Sequence, residues 1–136
     1  MPKKIFFKPG LLLLALVMVL PLAACKKSYV NNFNDVSVAA SSGSLTKDKV
    51  KGVILASCAN RGWVAREIEP GLISATITAK KHSAQVEIPY TGARYSIIYK
   101  NSVNLSYNPQ NQSIHSRYNR WVNNLKHDID VGLARL

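Results

Sequence analysis

Two cysteines, three histidines and seven acidic residues are all that this 136-residue chain offers of the side chains that most often carry chemistry. One cysteine, Cys25, closes an N-terminal apolar run, so Cys58 has no intramolecular partner and no disulfide framework exists. The fold has to stand on its apolar core. Cys58 itself sits at helical spacing from Ile54 and reads as a small buried hydrophobe, with no aspartate, histidine or second cysteine near it in sequence to activate its thiol. Of the histidines, His115 and His127 fall on one expected helix, separated by about 18 Å of rise, and cannot share a metal ion. His82 reads as a cap on a loop, with its approach to His115 at one end of a sheet left open. No metal site is expected.

Paired carboxylates for hydrolysis would have to come from Glu67, Glu69 and Glu87, and the first two flank Ile68 at a strand end as a solvated rim. Neither a G-x-S-x-G elbow nor a glycine-rich phosphate loop occurs. These absences point away from an enzyme: no catalytic residue and no cofactor are expected.

What is abundant is positive charge, 18 Lys and Arg against seven Asp and Glu, a net +11. The chain opens with Lys3, Lys4 and Lys8, continues through the apolar run Leu11–Leu20 and ends it in small residues before Cys25. This is the layout of a secretory signal over residues 1–24. A membrane-spanning anchor is the alternative, but the uncharged run is borderline for a hydrocarbon core of about 30 Å, and Pro9, Gly10 and Pro21 interrupt its ends. Leu22-Ala23-Ala24-Cys25 resembles the bacterial lipobox. The resemblance implies a diacylglyceryl group on the Cys25 sulfur, cleavage after Ala24 and acylation of the new amino group; the alternative is an ordinary signal whose cut happens to precede a cysteine. Several acyl chains make a durable anchor where a single chain is marginal. Lys26 and Lys27 follow Cys25 where, in enterobacteria-like sorting, an aspartate retains a lipoprotein in the inner membrane. The outer membrane, facing the periplasm, is the expected location.

Loss of residues 1–24 removes three of the 18 basic residues and none of the seven acidic ones, leaving a net +8 on 112 residues, enough for one small domain. In that compartment a basic surface meets anionic head groups, lipopolysaccharide phosphates or acidic proteins, and nucleic acid is not an expected partner.

Residues 25–45 are rich in Ser and Asn and carry no period, so they read as a lipidated flexible tether, with Val36-Ser37-Val38 as a short edge strand at most. The domain is expected over 46–136. Thr46 suits a helix N-cap, and Val50, Val53, Ile54, Ser57 and Cys58 recur at three- and four-residue intervals up to the stop at Asn60-Arg61-Gly62. From Trp63 the period becomes two. Strands are expected at Trp63–Ile68, Ile73–Ala79, Ala84–Tyr90 and Tyr95–Tyr99, punctuated by Pro70-Gly71, Lys80–Ser83 and Thr91-Gly92-Ala93. Asn101–Gln112 reads as a polar loop with Val103 and Leu105 tucked under the sheet. A final helix starting near Ser113 places Ile114, Tyr118, Trp121, Leu125, Ile129 and Leu133 on one face. The expected fold is α+β, a two-layer sandwich in which an antiparallel four-stranded meander is flanked by an N-terminal and a C-terminal helix, α-β-β-β-β-α.

The segments Arg61–Trp63 (RGW), Glu69–Ile73 (EPGLI), His82–Tyr90 (HSAQVEIPY), Tyr95–Tyr99 (YSIIY), Ser102–Leu105 (SVNL) and Ile114–Leu125 (IHSRYNRWVNNL) resemble a family of small proteobacterial lipoproteins without an established activity. The resemblance covers roughly Thr46 to Ile129. It implies one helix-sheet-helix domain behind a lipidated cysteine and carries over no catalytic residue.

Two surfaces are candidates for contact. Arg117 and Arg120 on the last helix, with Lys80 and Lys81 in a strand turn, read either as a solvated face or as contacts to an anion. The polar sheet face of Ser74, Thr76, Thr78, Gln85, Glu87 and Ser96 reads either as plain hydrated surface or as a site for glycan or protein, and a sheet edge accepts an added strand. The expected function is that of a membrane-anchored envelope lipoprotein, a non-enzymatic structural or accessory binding module with a possible protein partner in the envelope. The alternative is recognition of an anionic glycolipid or peptidoglycan through the basic helix or the polar sheet face.

Overall fold

Strict alternation between Trp63 and Tyr99 leaves each strand one apolar side, and four such strands joined by tight turns pair as a meander. The computed structural model describes residues 2–4 and 27–136, and in it the meander is one part of an α+β fold. In chain order the elements are β1 (Lys27–Tyr29), β2 (Phe33–Ser37), α1 (Lys47–Asn60), β3 (Trp63–Glu69), β4 (Leu72–Ala79), β5 (His82–Pro89), β6 (Arg94–Val103), β7 (Ser113–His115) and α2 (Ser116–Ala134). The main sheet has five antiparallel strands in the order β2-β6-β5-β4-β3, and β1 and β7 form a separate two-stranded ribbon.

Register follows the pattern. Ala75 stands opposite Val86, and Ile73 opposite Ile88, so one face of β4 and β5 is continuous apolar surface. Ile73, Ala75, Ala84, Val86, Ile88, Tyr95 and Ile97 are buried in one cluster with Val50, Ile54 and Cys58 of α1 and Tyr118, Val122, Leu125, Ile129 and Leu133 of α2. Helix α1 begins where its cap allows: the Thr46 hydroxyl accepts from the Lys49 amide at 3.3 Å, and Asp48 lies in the positive first turn. The α2 stripe runs through Val122, and Trp121 lies at its half-buried edge instead of within it.

Three features differ from the pattern-based expectation. The segment read as a tether over 25–45, with a short edge strand at Val36–Val38 at most, is part of the domain from Lys27 onward, and its edge strand runs over Phe33–Ser37. Lys27, Ser28 and Tyr29 pair with His115, Ile114 and Ser113, and Phe33, Val36 and Ser37 pair with Ile97, Tyr95 and Arg94 to add the fifth strand. Val30, Phe33, Val36, Val38 and Ala40 pack against the core, while the Asn31 amide donates to Asn119 Oδ1 at 3.0 Å and Asn119 Nδ2 donates to the Tyr29 carbonyl. This strap lies between an edge strand and a helix, so its contacts alternate between two partners and no single period marks it.

Strand β6 continues four residues past Tyr99. Tyr99 pairs with Val86 and Asn101 with Gln85, so Lys100 is an extra residue that resets the alternation, and its ammonium group lies 3.2 Å from Glu87. Beyond this bulge Leu105 is buried but Val103 is 52% exposed. The last helix begins at Ser116, not Ser113, because Ser113–His115 is committed to β1.

At two glycines the packing leaves no room for a side chain. A Cβ on Gly92 would lie 2.4 Å from the Leu45 carbonyl oxygen, where the connector into α1 crosses the β5–β6 turn. One on Gly132 would lie 2.7 Å from a Val53 methyl, where α2 meets α1. Helix α2 is also held by Asp130, which accepts from the Tyr95 hydroxyl and from Lys126. Among the described residues no helix is long and apolar enough to cross a membrane.

Two outcomes follow from this packing. Gly92→Ala forces backbone apart and is expected to cost about 1–3 kcal/mol, read as a lower denaturant midpoint. The Tyr118 hydroxyl is buried without a hydrogen-bond partner among the described residues, a state that costs about 1–3 kcal/mol for a polar group. Tyr118→Phe is therefore expected to leave the midpoint unchanged or raise it, and a marked loss of stability would show that the hydroxyl has a partner.

Candidate functional site

The basic residues singled out by the sequence are brought to one end of the molecule by a chain of backbone and side-chain hydrogen bonds. The β4–β5 turn carries Lys80 and Lys81, and the Lys81 carbonyl accepts from Asn104 Nδ2 at 2.6 Å. His82 Nδ1 donates to the Asn104 carbonyl at 2.8 Å. The next residue, Leu105, accepts from the His115 amide at 2.8 Å, and His115 stands opposite Lys27 in the ribbon. His115 is also the N-cap of α2, its Nδ1 accepting from the Arg117 amide at 3.0 Å. Lys27 and Arg120 line one open groove with Ser28, Ser116, Asn119, Asn123 and Asn124. Lys27, Lys80, Lys81, Arg117 and Arg120 thus share an end, which also exposes Tyr29 and, in part, Tyr107.

None of these five cations makes an ion pair among the described residues. The acids lie elsewhere: Asp48 and Glu67 face Lys51 at 3.4 and 3.0 Å, Glu87 faces Lys100, Asp130 faces Lys126, and Asp128 holds Arg61 through two bonds of 2.6 and 2.7 Å. The two acids left over are Asp35 and Glu69. Asp35 lines the groove at the opposite end with Pro70, Gly71, Tyr90, Thr91 and Arg94, and Glu69 adjoins it in sequence. The charge is therefore polarised along the strand direction, with uncompensated cations at one end only partly mirrored at the other, where Lys47, Lys49 and Arg94 stand among acids.

Side chains of the types that carry chemistry have structural duties. His82 caps the 103–106 loop and His115 caps α2. Glu67 is not the free rim residue expected from the sequence: its carboxylate accepts from Lys51 and from the Gly71 amide, and both hold it below its usual range. Arg61 does the same for Asp128. Ser44 and Lys47 stand at S-x-x-K spacing, but Ser44 precedes the N-cap Thr46, so the two are not one helical turn apart, and Lys47 Nζ lies over the Tyr90 ring at 5.7 Å. Among the described residues no three His, Cys, Asp or Glu side chains come together as a metal site. Leu22, Ala23 and Ala24, read from the sequence as a lipobox, and Cys25, its expected lipid acceptor, lie outside the described residues.

The second candidate surface, the uncovered face of the sheet, has the composition expected of it, with Gln85 donating to Ser74 Oγ at 3.0 Å across β4 and β5. Edge strand β3 adds Val64, 80% exposed, and Ile68, 46% exposed, to this face. What sequence reasoning missed is Lys27: within a Ser/Asn-rich stretch nothing marks it as belonging with Arg117 and Arg120 until the ribbon pairs it with His115.

No protein-family model, no curated protein and no solved structure matches the chain.

Cys58 is fully buried, and burial pushes its thiol up to about 12. Its folded value lies above its unfolded one, so its contribution to stability is complete below about 9 and is lost as pH rises toward 12. Native protein is expected to resist thiol reagents at neutral pH and to react once unfolded, and stability measured by denaturant is expected to fall across that alkaline window. Cys58→Ala is expected to flatten the fall.

Proposed function

We propose that the chain is a lipid-anchored module of the bacterial envelope, acylated on Cys25, which works by presenting surfaces rather than by catalysing a reaction. The observation that carries this reading is positional. A lysine-led apolar segment ends in Leu22-Ala23-Ala24-Cys25, and the folded domain takes up the chain two residues later, at Lys27. Among the described residues every core side chain lies downstream of the proposed cut, so removal of residues 1–24 leaves that core whole. The employment of His82, His115, Glu67 and Asp128 in caps and ion pairs supports a non-catalytic role. Lys26 and Lys27 after the cysteine support the outer membrane, with the domain in the periplasm. The expected partner besides the membrane is another envelope component, and the uncovered sheet face with Val64 and Ile68 is the surface that suits a protein.

Cys25→Ser is expected to remove the acyl mass from the N-terminal peptide and to deplete the protein from the outer-membrane fraction, while circular dichroism of the domain is unchanged. Acyl chains persisting on that variant, by mass spectrometry of the membrane-extracted protein, would sink the reading.

A further inference from the structure

The geometry points to an end-on seat of this domain on the bilayer: the end that carries Lys27, Lys80, Lys81, Arg117 and Arg120 lies against the anionic phospholipid head groups of the leaflet holding the anchor. This inference rests on the Cys25 reading and adds to it the face that meets the membrane.

The chain between the lipid and the domain is short. Only Lys26 stands between Cys25 and the first residue of β1, and two residues of chain span at most about 7 Å in any conformation. Lys27 is locked to His115 in the ribbon, and His115 caps α2 and is bonded to the 103–106 loop. There is no slack for the domain to swing away, so an acyl group in the bilayer brings this end to within about one Debye length of the head groups.

Charge favours the same end. The five cations at this end have no acidic partner among the described residues, whereas both unpaired acids, Asp35 and Glu69, are at the far end. An anionic surface attracts the first end more strongly than the second, where Lys47, Lys49 and Arg94 stand among acids, so electrostatics and tether select the same orientation. A basic residue near such a surface contributes about a five-fold preference. Tyr29, 75% exposed beside Lys27, is an amphipathic ring of the kind that settles at head-group depth. The seat leaves the polar face of the sheet, which runs away from the membrane, free for another partner.

The test uses the processed full-length protein purified from membranes and placed in phosphatidylcholine vesicles with or without one-third phosphatidylglycerol. A fluorophore is attached through Gln110→Cys, in the loop at the proposed seat, or through Ala93→Cys, at the far end, and a head-group nitroxide serves as quencher. Buried Cys58 does not compete for label. In anionic vesicles the Gln110 label is expected to be quenched several-fold more than the Ala93 label, with the difference shrinking in neutral vesicles and in high salt. Combining Lys80→Glu, Lys81→Glu and Arg120→Glu is expected to shrink the difference to what the tether alone sets, while Lys49→Glu with Arg66→Glu leaves it in place. Equal quenching of the two labels, or a difference indifferent to salt and to the triple reversal, overturns the inference. Should the triple variant not fold, the salt dependence of the unreversed chain decides alone. Intact mass separates the two readings: acyl-bearing protein with equal quenching defeats the seat and keeps the anchor. Protein without acyl mass defeats the anchor, and the seat then stands or falls on whether the same labelled chain, added to anionic vesicles from solution, shows selective quenching at Gln110.

Discussion

The contact on which the arrangement depends is the short antiparallel pairing of Lys27–Tyr29 with Ser113–His115. It joins the first strand to the strand that leads into α2 and sets where the strap begins its course along that helix. From there Asn31 bonds to Asn119 and Asn123, Phe33 and Val36 complete the sheet beside β6, and Ser41 reaches the Ala134 carbonyl at 3.1 Å. The strap closes the β6 edge and covers the flank of the helix together. Without it the sheet would present a long unpaired edge, the kind of template that proteins usually cover or interrupt.

Burial on one side only is the second constraint. Two helices meet closely enough, at Gly132 and Val53, to cover the apolar face of five strands, and nothing among the described residues covers the other face. That face remains hydrated through Ser, Thr, Gln and the Glu87–Lys100 pair. An antiparallel sheet tolerates this because its alternation segregates the two sides residue by residue. The outcome is a domain with three distinct surfaces: a helical side, a flat polar side, and an end where positive charge stands without compensation.

The meander, both helices and the Thr46 cap were legible in the sequence because each is declared locally. Period two names a half-buried strand, period 3.6 names a helix face, and a β-branched or apolar residue at the right interval needs no knowledge of what lies across the core. The elements that escaped local reading are those whose partners are distant. Ser113–His115 looks like the first turn of a helix until Lys27 pairs with it, and residues past Tyr99 look like loop because the bulge at Lys100 shifts the alternation by one. Val103, expected inside, lies on the open side for the same reason.

The candidate basic site was legible by composition but not by membership. By itself the sequence determined the fold class, the two helices and the four-strand meander between Thr46 and Leu133, and the lipobox-like pattern that ends at Cys25, since all of these follow from residue type and short-range spacing. The tertiary structure alone decided that residues 27–41 belong to the domain and that Lys27, Lys80, Lys81, Arg117 and Arg120 share one end. The physical reason is that pairing across some ninety residues of chain is driven by complementary hydrogen-bonding edges and a shared apolar seam, and neither leaves a periodic mark on the segment that supplies it.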